Sequence, residues 1–328
     1  MRIISLLIVG VLLLSLGTGA LAADRFSSAV VFSESGFPAV DAAGPPTHQF
    51  AALLPGARFA HAGQLATLLK DPATRLLVLP YGSAFPEESW PEIYAFLKNG
   101  GNLLVLGGRP FTRSAYHDAT GWKLRDYSVR FARALMIDQY QTTPGSDGLQ
   151  FQTNPDLPLK LSRFAWGRAF SPVIRLSAVD LYHRGGAAGS IDARLDALAW
   201  GVTVKDGRKL AAPAIEIDHL RNGFGGGRWV FLNSELAPDF YNGPASAELV
   251  QSLAELALRG SEEFTVHPVF PLYFPGEPIQ LEVNWHATAP STLPLTIKIT
   301  SFPEVQPKDQ PQARSENAGS LRYRSGVA

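Results

Sequence analysis

Residues 76–108 read LLVLPYGSAFPEESWPEIYAFLKNGGNLLVLGG, and this stretch decides the fold class of the chain. It opens with an uninterrupted apolar run, Leu76–Pro80, and closes with a second one, Leu103–Leu106, that stops on two glycines. Continuous apolar runs of this length are typical of strands in a parallel sheet that is covered on both faces. The stretch therefore predicts a strand, a helix and a strand joined as a right-handed parallel crossover.

The segment between the two runs carries the signals of a helix from Ser89 to Asn99. Ser89 and Glu92 have the spacing of a capping box, and Pro91 falls in the first turn, where its missing N–H is tolerated. Gly100 suits the left-handed residue that ends a helix. Apolar residues recur with the helical period at Trp90, Ile93, Tyr94 and Leu97. We expect this face to pack against the sheet.

The flanking sequence extends the pattern into an α/β domain over residues 24–261. A strand is expected at Ser28–Phe32, with short helices near residues 50–54 and 64–70. Two strands, 213–220 and 228–232, predict a hairpin, and residues 244–259 predict a last helix with one apolar face. Residues 126–210 lose the alternation of helix and strand, which indicates a β-rich insertion.

The composition is that of a globular chain without a strongly charged partner. The 328 residues include 29 basic and 29 acidic side chains, and this balance argues against a nucleic acid or an anionic membrane as the main partner. The chain contains no cysteine. This excludes a cysteine nucleophile, a thiolate metal site, a redox motif and a disulfide.

Residues 1–22 have the organisation of a secretory signal peptide. Arg2 provides the positive start, Ile3–Leu16 is almost wholly apolar, and Ala20-Leu21-Ala22 resembles a cleavage site. An uncleaved anchor is disfavoured because the apolar run is shorter than the ~20 residues that span a bilayer. We therefore expect an exported protein, periplasmic or extracellular, with no membrane contact after cleavage.

The sequence changes character after residue 262. Residues 263–301 contain three strand-like runs, whereas a β-sandwich of immunoglobulin type needs about seven strands. Residues 302–328 are polar and predict a disordered or truncated tail. We expect a partial β-sandwich here, in a chain that is the front end of a longer protein.

Residues 76–108 resemble the second half of a class I glutamine-amidotransferase-like domain with a flavodoxin-like fold. GGGRWVFLNSELAP at 225–238 resembles the last strand of that domain. YFPGEPIQLEV at 273–283 resembles the first strands of sandwiches that follow such domains in secreted bacterial glycosidase-like proteins. Similar domains form the trimerisation domain of certain β-galactosidases. Over residues 27–260 the resemblance implies a doubly wound, mostly parallel sheet with a β-rich insertion, followed by the start of a sandwich.

The resemblance also implies that the amidotransferase catalytic groups are missing. Amidotransferases place a nucleophilic cysteine at the elbow after the central strand and a His-Pro-Glu motif near the last strand. The elbow here reads Gly107-Gly108-Arg109, and the second motif aligns with Asn233-Ser234-Glu235, of which Glu235 alone matches. Asparagine cannot take a proton at neutral pH, so it cannot act as the base. Glutamine hydrolysis is not expected.

A ligand cleft is expected beyond the carboxyl ends of the parallel strands. The polar and aromatic residues expected there suit a sugar or a carboxylate-bearing ligand: Glu34, Tyr81, Gly82, Arg109, Asn233 and Glu235. The alternative is structural, with an ion pair between Arg109 and Glu235, Ser234 as a helix cap and Tyr81 as packing.

Other patterns point to no further chemistry. Gly223–Gly227 lies between two strands and predicts a hairpin loop rather than a phosphate-binding loop. Asp180, His183 and Asp192 lack the spacing of a metal motif, so neither a metal nor another cofactor is expected.

These observations favour a non-catalytic accessory, assembly or carbohydrate-binding domain of an exported glycosidase-like protein. The expected partners are a carbohydrate ligand and either a second copy of the chain or downstream domains. The alternative is an active glycoside hydrolase, or part of one, that uses Glu34 and Glu235 as its carboxylate pair.

Overall fold

The computed structural model describes residues 25–44, 47–157, 159–175, 192–270, 278–287, 296–297 and 321–322. The chain divides into two compact units, Met1–Thr288 and Ala289–Ala328. The predicted signal peptide, Asp180, His183 and nearly all of the polar tail lie outside the described residues, so the expectations about them stay predictions.

The helices are α1 (Thr47–Leu53), α2 (Ala62–Lys70), α3 (Trp90–Lys98), α4 (Arg130–Ala134) and α5 (Pro244–Leu258). The strands of the first half are β1 (Ala29–Phe32), β2 (Arg58–Ala60), β3 (Leu76–Leu79), β4 (Ala84–Pro86), β5 (Asn102–Leu106), β6 (Arg113–Asp118), β7 (Gly121–Leu124), β8 (Ile137–Thr143) and β9 (Leu149–Thr153). The later strands are β10 (Ala169–Ile174), β11 (Ala193–Thr203), β12 (Lys209–His219), β13 (Arg228–Leu232), β14 (Glu262–Pro268), β15 (Leu281–Ala287), β16 (Thr296–Ile297) and β17 (Leu321–Arg322).

An eight-stranded sheet organises the first unit, in the order β2-β1-β3-β5-β13-β12-β11-β9. Its first five strands are parallel. The last three are antiparallel to their neighbours, because a hairpin joins β12 to β13 and another joins β11 to β12. The chain is therefore a mixed α/β protein, as the sequence predicts.

The crossover from β3 through α3 to β5 is confirmed. The two strands are parallel with Leu77 opposite Leu103, and every residue of both strands is buried.

The predicted capping box of α3, formed by Ser89 and Glu92, is wrong. The Ser89 hydroxyl is buried and donates to the carbonyl of Ala62 at 3.2 Å, so it ties α3 to the start of α2 and makes no bond to its own helix. On the apolar face, Phe96 is buried in addition to Ile93 and Leu97.

The strands of the predicted β-rich insertion are divided between the main sheet and a small separate sheet. Strand β9 pairs with β11, and together they extend the sheet beyond β12. Strands β8 and β10 form a two-stranded sheet of their own. This arrangement places the segment before β10 beside the end of β13.

Helices cover both faces of the parallel strands, and each face has its own apolar core. On one face, α1 and α5 pack over alternate residues of β1, β3 and β5, such as Val31, Val78 and Leu104. On the other, α2 and α3 pack over Val30, Leu77 and Leu103. The predicted apolar face of α5 is confirmed, since Leu249, Val250, Leu253, Leu256 and Ala257 are all buried.

Strands β14 and β15 form a two-stranded antiparallel sheet. Next to it Val269, Phe270 and Ile279 are about half exposed. The partial β-sandwich expected over residues 263–301 stays a prediction, because much of this segment, including Tyr273 and the side chain of Trp285, lies outside what the structure describes. Among the described residues, no helix has the length and apolar character needed to cross a membrane.

Candidate functional site

The elbow after β5 is closed by the chain itself. Gly107 and Gly108 have φ angles of 97° and 69°, in the left-handed region that favours glycine. A Cβ on Gly107 would lie 2.6 Å from the Cβ of Ala42, and a Cβ on Gly108 would lie 2.5 Å from the backbone nitrogen and the hydroxyl of Ser83. No side chain therefore fits at either position while residues 41–42 and Ser83 keep their places.

Arg109 follows the elbow and is held by a short hydrogen-bonded chain. Its backbone N–H donates to the Ser83 hydroxyl at 2.8 Å, and that hydroxyl donates to Asp41 Oδ2 at 2.7 Å. The same carboxylate oxygen lies 3.3 Å from Arg109 Nη2. The loop after β1, the loop after β3 and the elbow after β5 are thus tied together at one edge of the sheet.

Two aromatic rings hold the Arg109 guanidinium. Its carbon lies 4.7 Å from the ring centre of Phe170 and 5.0 Å from that of Tyr127, distances that suit cation–π contacts. Phe170 is buried, whereas Tyr127 is 46% exposed. We call this group the Arg109 cluster: Asp41, Ser83, Arg109, Tyr127 and Phe170. On the solvent side, the cluster exposes part of the Arg109 side chain and the Tyr127 ring.

The backbone next to the Arg109 cluster is strained at two non-glycine residues. Asp41 and Phe111 have φ angles of 58° and 62°. Phe111 is held in a buried aromatic group, with ring centres 5.3 Å from Phe85 and 5.6 Å from Trp90. Left-handed conformations at non-glycine residues persist only where the surrounding contacts impose them, and they concentrate at functional sites.

Glu235 lies just beyond the end of β13 and pairs with Arg168. Arg168 Nε donates to Glu235 Oε1 at 2.9 Å, and the Arg168 backbone N–H donates to Oε2 at 3.0 Å. The bonds from Arg168 lower the pKa of Glu235 below its usual value. Glu235 is therefore ionised at neutral pH. It does not pair with Arg109, because each has a different partner.

Glu34, Tyr81 and Gly82 lie together at the ends of β1 and β3, where the strand order reverses direction. The Tyr81 hydroxyl accepts from the Glu34 backbone N–H at 3.0 Å and donates to the Glu34 carbonyl at 3.2 Å. The Tyr81 ring is 5% exposed and contacts Phe32 and Phe37. Burial raises the pKa of Tyr81. The crevice expected at a switch point is filled here by the protein's own aromatic rings.

The remaining groups at this position have structural partners. Glu34 Oε2 accepts from the backbone N–H of Ala62 at 3.0 Å, at the first residue of α2. A Cβ on Gly82 would collide with the carbonyl oxygen of Val40. Glu34 and Gly82 thus position the loop after β1.

Asn233 is fully buried and has no surface to offer a ligand. Its Nδ2 donates to the carbonyls of Phe170 at 3.0 Å and Ala212 at 2.8 Å, so it joins the end of β13 to β10 and β12. Ser234 is also buried and is not a helix cap, since α5 begins at Pro244 after Gly243.

The sequence prediction includes Arg109 and Glu235 but misses Asp41, Ser83, Tyr127, Arg168 and Phe170. These five residues come from four separate segments and form no local motif. Of the six predicted site residues, Arg109 and Glu235 lie at this edge with part of the side chain exposed to solvent. The exposed neighbour of Arg109 is Tyr127, and that of Glu235 is Arg168.

No protein-family model matches the chain, and no curated protein sequence matches it. Solved structures with partial similarity include a cold-adapted β-galactosidase from Rahnella sp. R3, with 13% identity over 79% of this chain and 41% of that chain and a TM-score of 0.38. An α-L-fucosidase isoenzyme 2 from Paenibacillus thiaminolyticus has 10% identity over 73% of this chain and 34% of that chain, with a TM-score of 0.39.

A ThuA-like protein from Bacteroides uniformis ATCC 8492 has 12% identity over 70% of this chain and 90% of that chain, with a TM-score of 0.35. The chain thus spans less than half the length of the two glycosidases. At TM-scores below 0.5, these similarities carry no argument about the activity of this chain.

Proposed function

We propose that the α/β unit is a non-catalytic accessory or carbohydrate-binding domain of an exported, glycosidase-related protein, with an amidotransferase-like sheet. The main support for this proposal is the closed elbow after β5. Where a catalytic domain of that type needs a nucleophile, Gly107 and Gly108 leave no room for a side chain. Asn233, at the position of the base, is buried and bonded to backbone carbonyls.

The Arg109 cluster and the Arg168–Glu235 pair are the proposed ligand site. Two arginines are balanced there by two carboxylates, Asp41 and Glu235. This balance favours a neutral sugar over an acidic one, because hydroxyl groups can donate to carboxylates and accept from guanidinium groups at the same time. The exposed ring of Tyr127 offers a surface on which the apolar face of a sugar ring can pack.

The alternative, an active glycoside hydrolase, requires one carboxylic acid and one carboxylate. Arg168 holds the pKa of Glu235 below its usual value, which disfavours it as the acid. Glu34 is bonded to the start of α2. The site as it stands therefore supports binding better than hydrolysis.

Binding is tested by calorimetric titration of a panel of neutral mono- and oligosaccharides into the wild type, Arg109→Ala and Tyr127→Ala. We expect at least a roughly tenfold loss of affinity for Arg109→Ala, the size of about one lost charge-assisted contact. Arg125→Ala is the matched control, since Arg125 also pairs with a carboxylate, Glu87, and stacks on a tyrosine, Tyr116.

Two results would overturn the binding proposal: no sugar binds the wild type, or Arg125→Ala weakens binding as much as Arg109→Ala does. Tyr127→Ala guards against a folding defect, because half of that side chain is exposed. Hydrolysis of aryl glycosides above the uncatalysed rate, abolished by Glu235→Gln, would favour the active hydrolase instead. Export and assembly with a second copy or further domains stay proposals that this experiment does not address.

A further inference from the structure

A cavity of about 210 Å³ lies at the opposite edge of the main sheet from the Arg109 cluster. It is bounded by the last turns of α3, by the ends of β10 and β12, and by the connection between β12 and β13. Charged and aromatic side chains line it: Lys98, Arg175, Asp192, His219, Arg221 and Phe224. The proposed function uses none of these residues.

His219 gives this cavity an unpaired polar atom. The residue is 2% exposed, and its Nε2 has no hydrogen-bond partner within the described part of the chain. Its ring centre lies 3.9 Å from that of Trp229 and 5.3 Å from that of Phe224. Burial lowers the pKa of His219 to about 3, so the ring is neutral. Buried polar atoms are nearly always paired, and an unpaired one next to a cavity indicates a missing partner.

The cavity also contains the other two strained non-glycine residues of the described chain. Met136 and Asn222 have φ angles of 64° and 61°, and both line it. Asn222 Nδ2 donates to Asp192 Oδ1, which fixes the connection against the start of β11. Among the described residues, the four left-handed non-glycine residues thus lie either at or next to the Arg109 cluster, as Asp41 and Phe111 do, or at this cavity. Strain of this kind accumulates where a binding surface is held in shape.

One cation around the cavity has no carboxylate partner among the described residues. Lys98, Arg175 and Arg221 line the cavity together with Asp192. Arg175 pairs with Asp138 and Arg221 with Glu263, whereas Lys98 makes no ion pair within the described part of the chain. Lys98 is therefore the cation with which a ligand carboxylate can pair directly. Partly exposed ion pairs are weak, so each arginine can add a second contact to the same carboxylate.

We propose that this cavity binds a single-ring sugar that carries a carboxylate, with His219 Nε2 contacting a ligand hydroxyl and Lys98 and the two arginines facing the carboxylate. The volume matches this class of ligand, since at roughly 30 Å³ per water it holds about seven waters, the size of one sugar ring. Phe224 and Tyr94 provide the apolar walls.

The proposal is tested by titrating glucuronate, glucose and inorganic phosphate into the full chain, followed by calorimetry and by tryptophan fluorescence. The Trp229 ring packs against His219 in a tilted arrangement, so a ligand that contacts His219 should change the emission. We expect glucuronate to bind in the millimolar range and Lys98→Gln to weaken it about fivefold or more, the effect of one charge-assisted contact. The exposed Lys205→Gln is the matched control, and Arg109→Ala should leave glucuronate binding unchanged because the two sites are at opposite edges.

Three outcomes would overturn the proposal. Failure of glucuronate to bind would leave His219 as a core residue packed against Trp229. Glucose binding as tight as that of glucuronate in Arg109→Ala, where the other proposed site is weakened, would remove the role of the cations. Phosphate binding as tight as that of glucuronate would remove the role of the sugar ring. Loss of neutral-sugar binding in Arg109→Ala together with intact glucuronate binding would separate this site from the one in the proposed function.

Discussion

Two clusters of arginine and carboxylate side chains lie at opposite ends of β13, and they differ in their access to water. Arg228 is the first residue of the strand, and its side chain is 5% exposed next to a fully buried Asp218. Glu235 follows the end of the strand and pairs with Arg168, whose side chain is 63% exposed. The same residue types therefore lie in opposite environments at the two ends of one strand.

The buried cluster is a ladder across three strands. Arg194, Asp218 and Arg228 are in register on β11, β12 and β13, and Asp218 accepts from Arg228 Nε at 2.6 Å and from Arg194 Nη2 at 2.9 Å. Glu216 lies on the same face, with Arg228 Nε 3.5 Å away. A slip of one residue would turn these charges to the other face and separate them, so we infer that the ladder helps to set the register of the antiparallel strands.

Burial therefore sets the contribution of a charged pair to stability. The enclosed pair is rigid and its loss leaves a charge without water, so it contributes to stability. The exposed pair contributes little to stability, and its donors and acceptors remain accessible to solvent. The following variants test this difference.

The largest effect is expected for Arg228→Met, which leaves Asp218 buried with half of its ion pairs removed. We expect a loss of about 3 to 5 kcal/mol in the free energy of unfolding, measured by urea denaturation. Arg168→Met is the matched control and should lose less than about 1 kcal/mol, because its pair is exposed. Similar losses in both variants would show that burial does not set the contribution of these ion pairs to stability.

The same contrast between enclosed and open positions applies to two left-handed glycines. Gly108→Ala places a Cβ against Ser83 in addition to the φ of 69°, whereas Gly207→Ala has a φ of 66° with nothing within 4 Å. We expect a loss of about 2 to 4 kcal/mol for Gly108→Ala and about 1 kcal/mol for Gly207→Ala, measured as above. Equal losses would show that the elbow is not closed.

A smaller effect concerns pH. Burial first, and then the charge of Asp218, raise the pKa of Glu216 from 4.5 to about 7. The folded state therefore binds more protons than the unfolded state between these values. The contribution of Glu216 to the free energy of unfolding is fully present below pH 4.5 and is lost as the pH rises to about 7.

Glu216→Gln should remove this dependence and flatten the stability profile by about 1 to 3 kcal/mol between the two ends of that window. The measurement is the urea midpoint across the window, with the exposed Glu88→Gln as the control. A wild-type profile that rises with pH in the window, or one that Glu216→Gln leaves unchanged, would contradict an acid held neutral by burial.

Three features of the fold can be predicted from the sequence alone: the parallel crossover, the hairpin before β13 and the buried face of α5. Each of these depends on a local pattern, either an unbroken apolar run, two strands around a glycine-rich turn, or apolar residues at the helical period. The sequence also shows that the turn after β5 carries two glycines and an arginine. These features follow from neighbours in the chain, whose spacing is visible without the fold.

The tertiary structure alone decided how the site is built. Ser83 contacts Asp41 across 42 residues, and Arg109 contacts Asp41 across 68. In the folded chain, the Ser89 hydroxyl bonds to Ala62 instead of to its own helix, and Glu235 pairs with Arg168 instead of with Arg109. The physical reason is that the partner of a polar side chain is set by the paths of distant loops, and no local pattern records those paths.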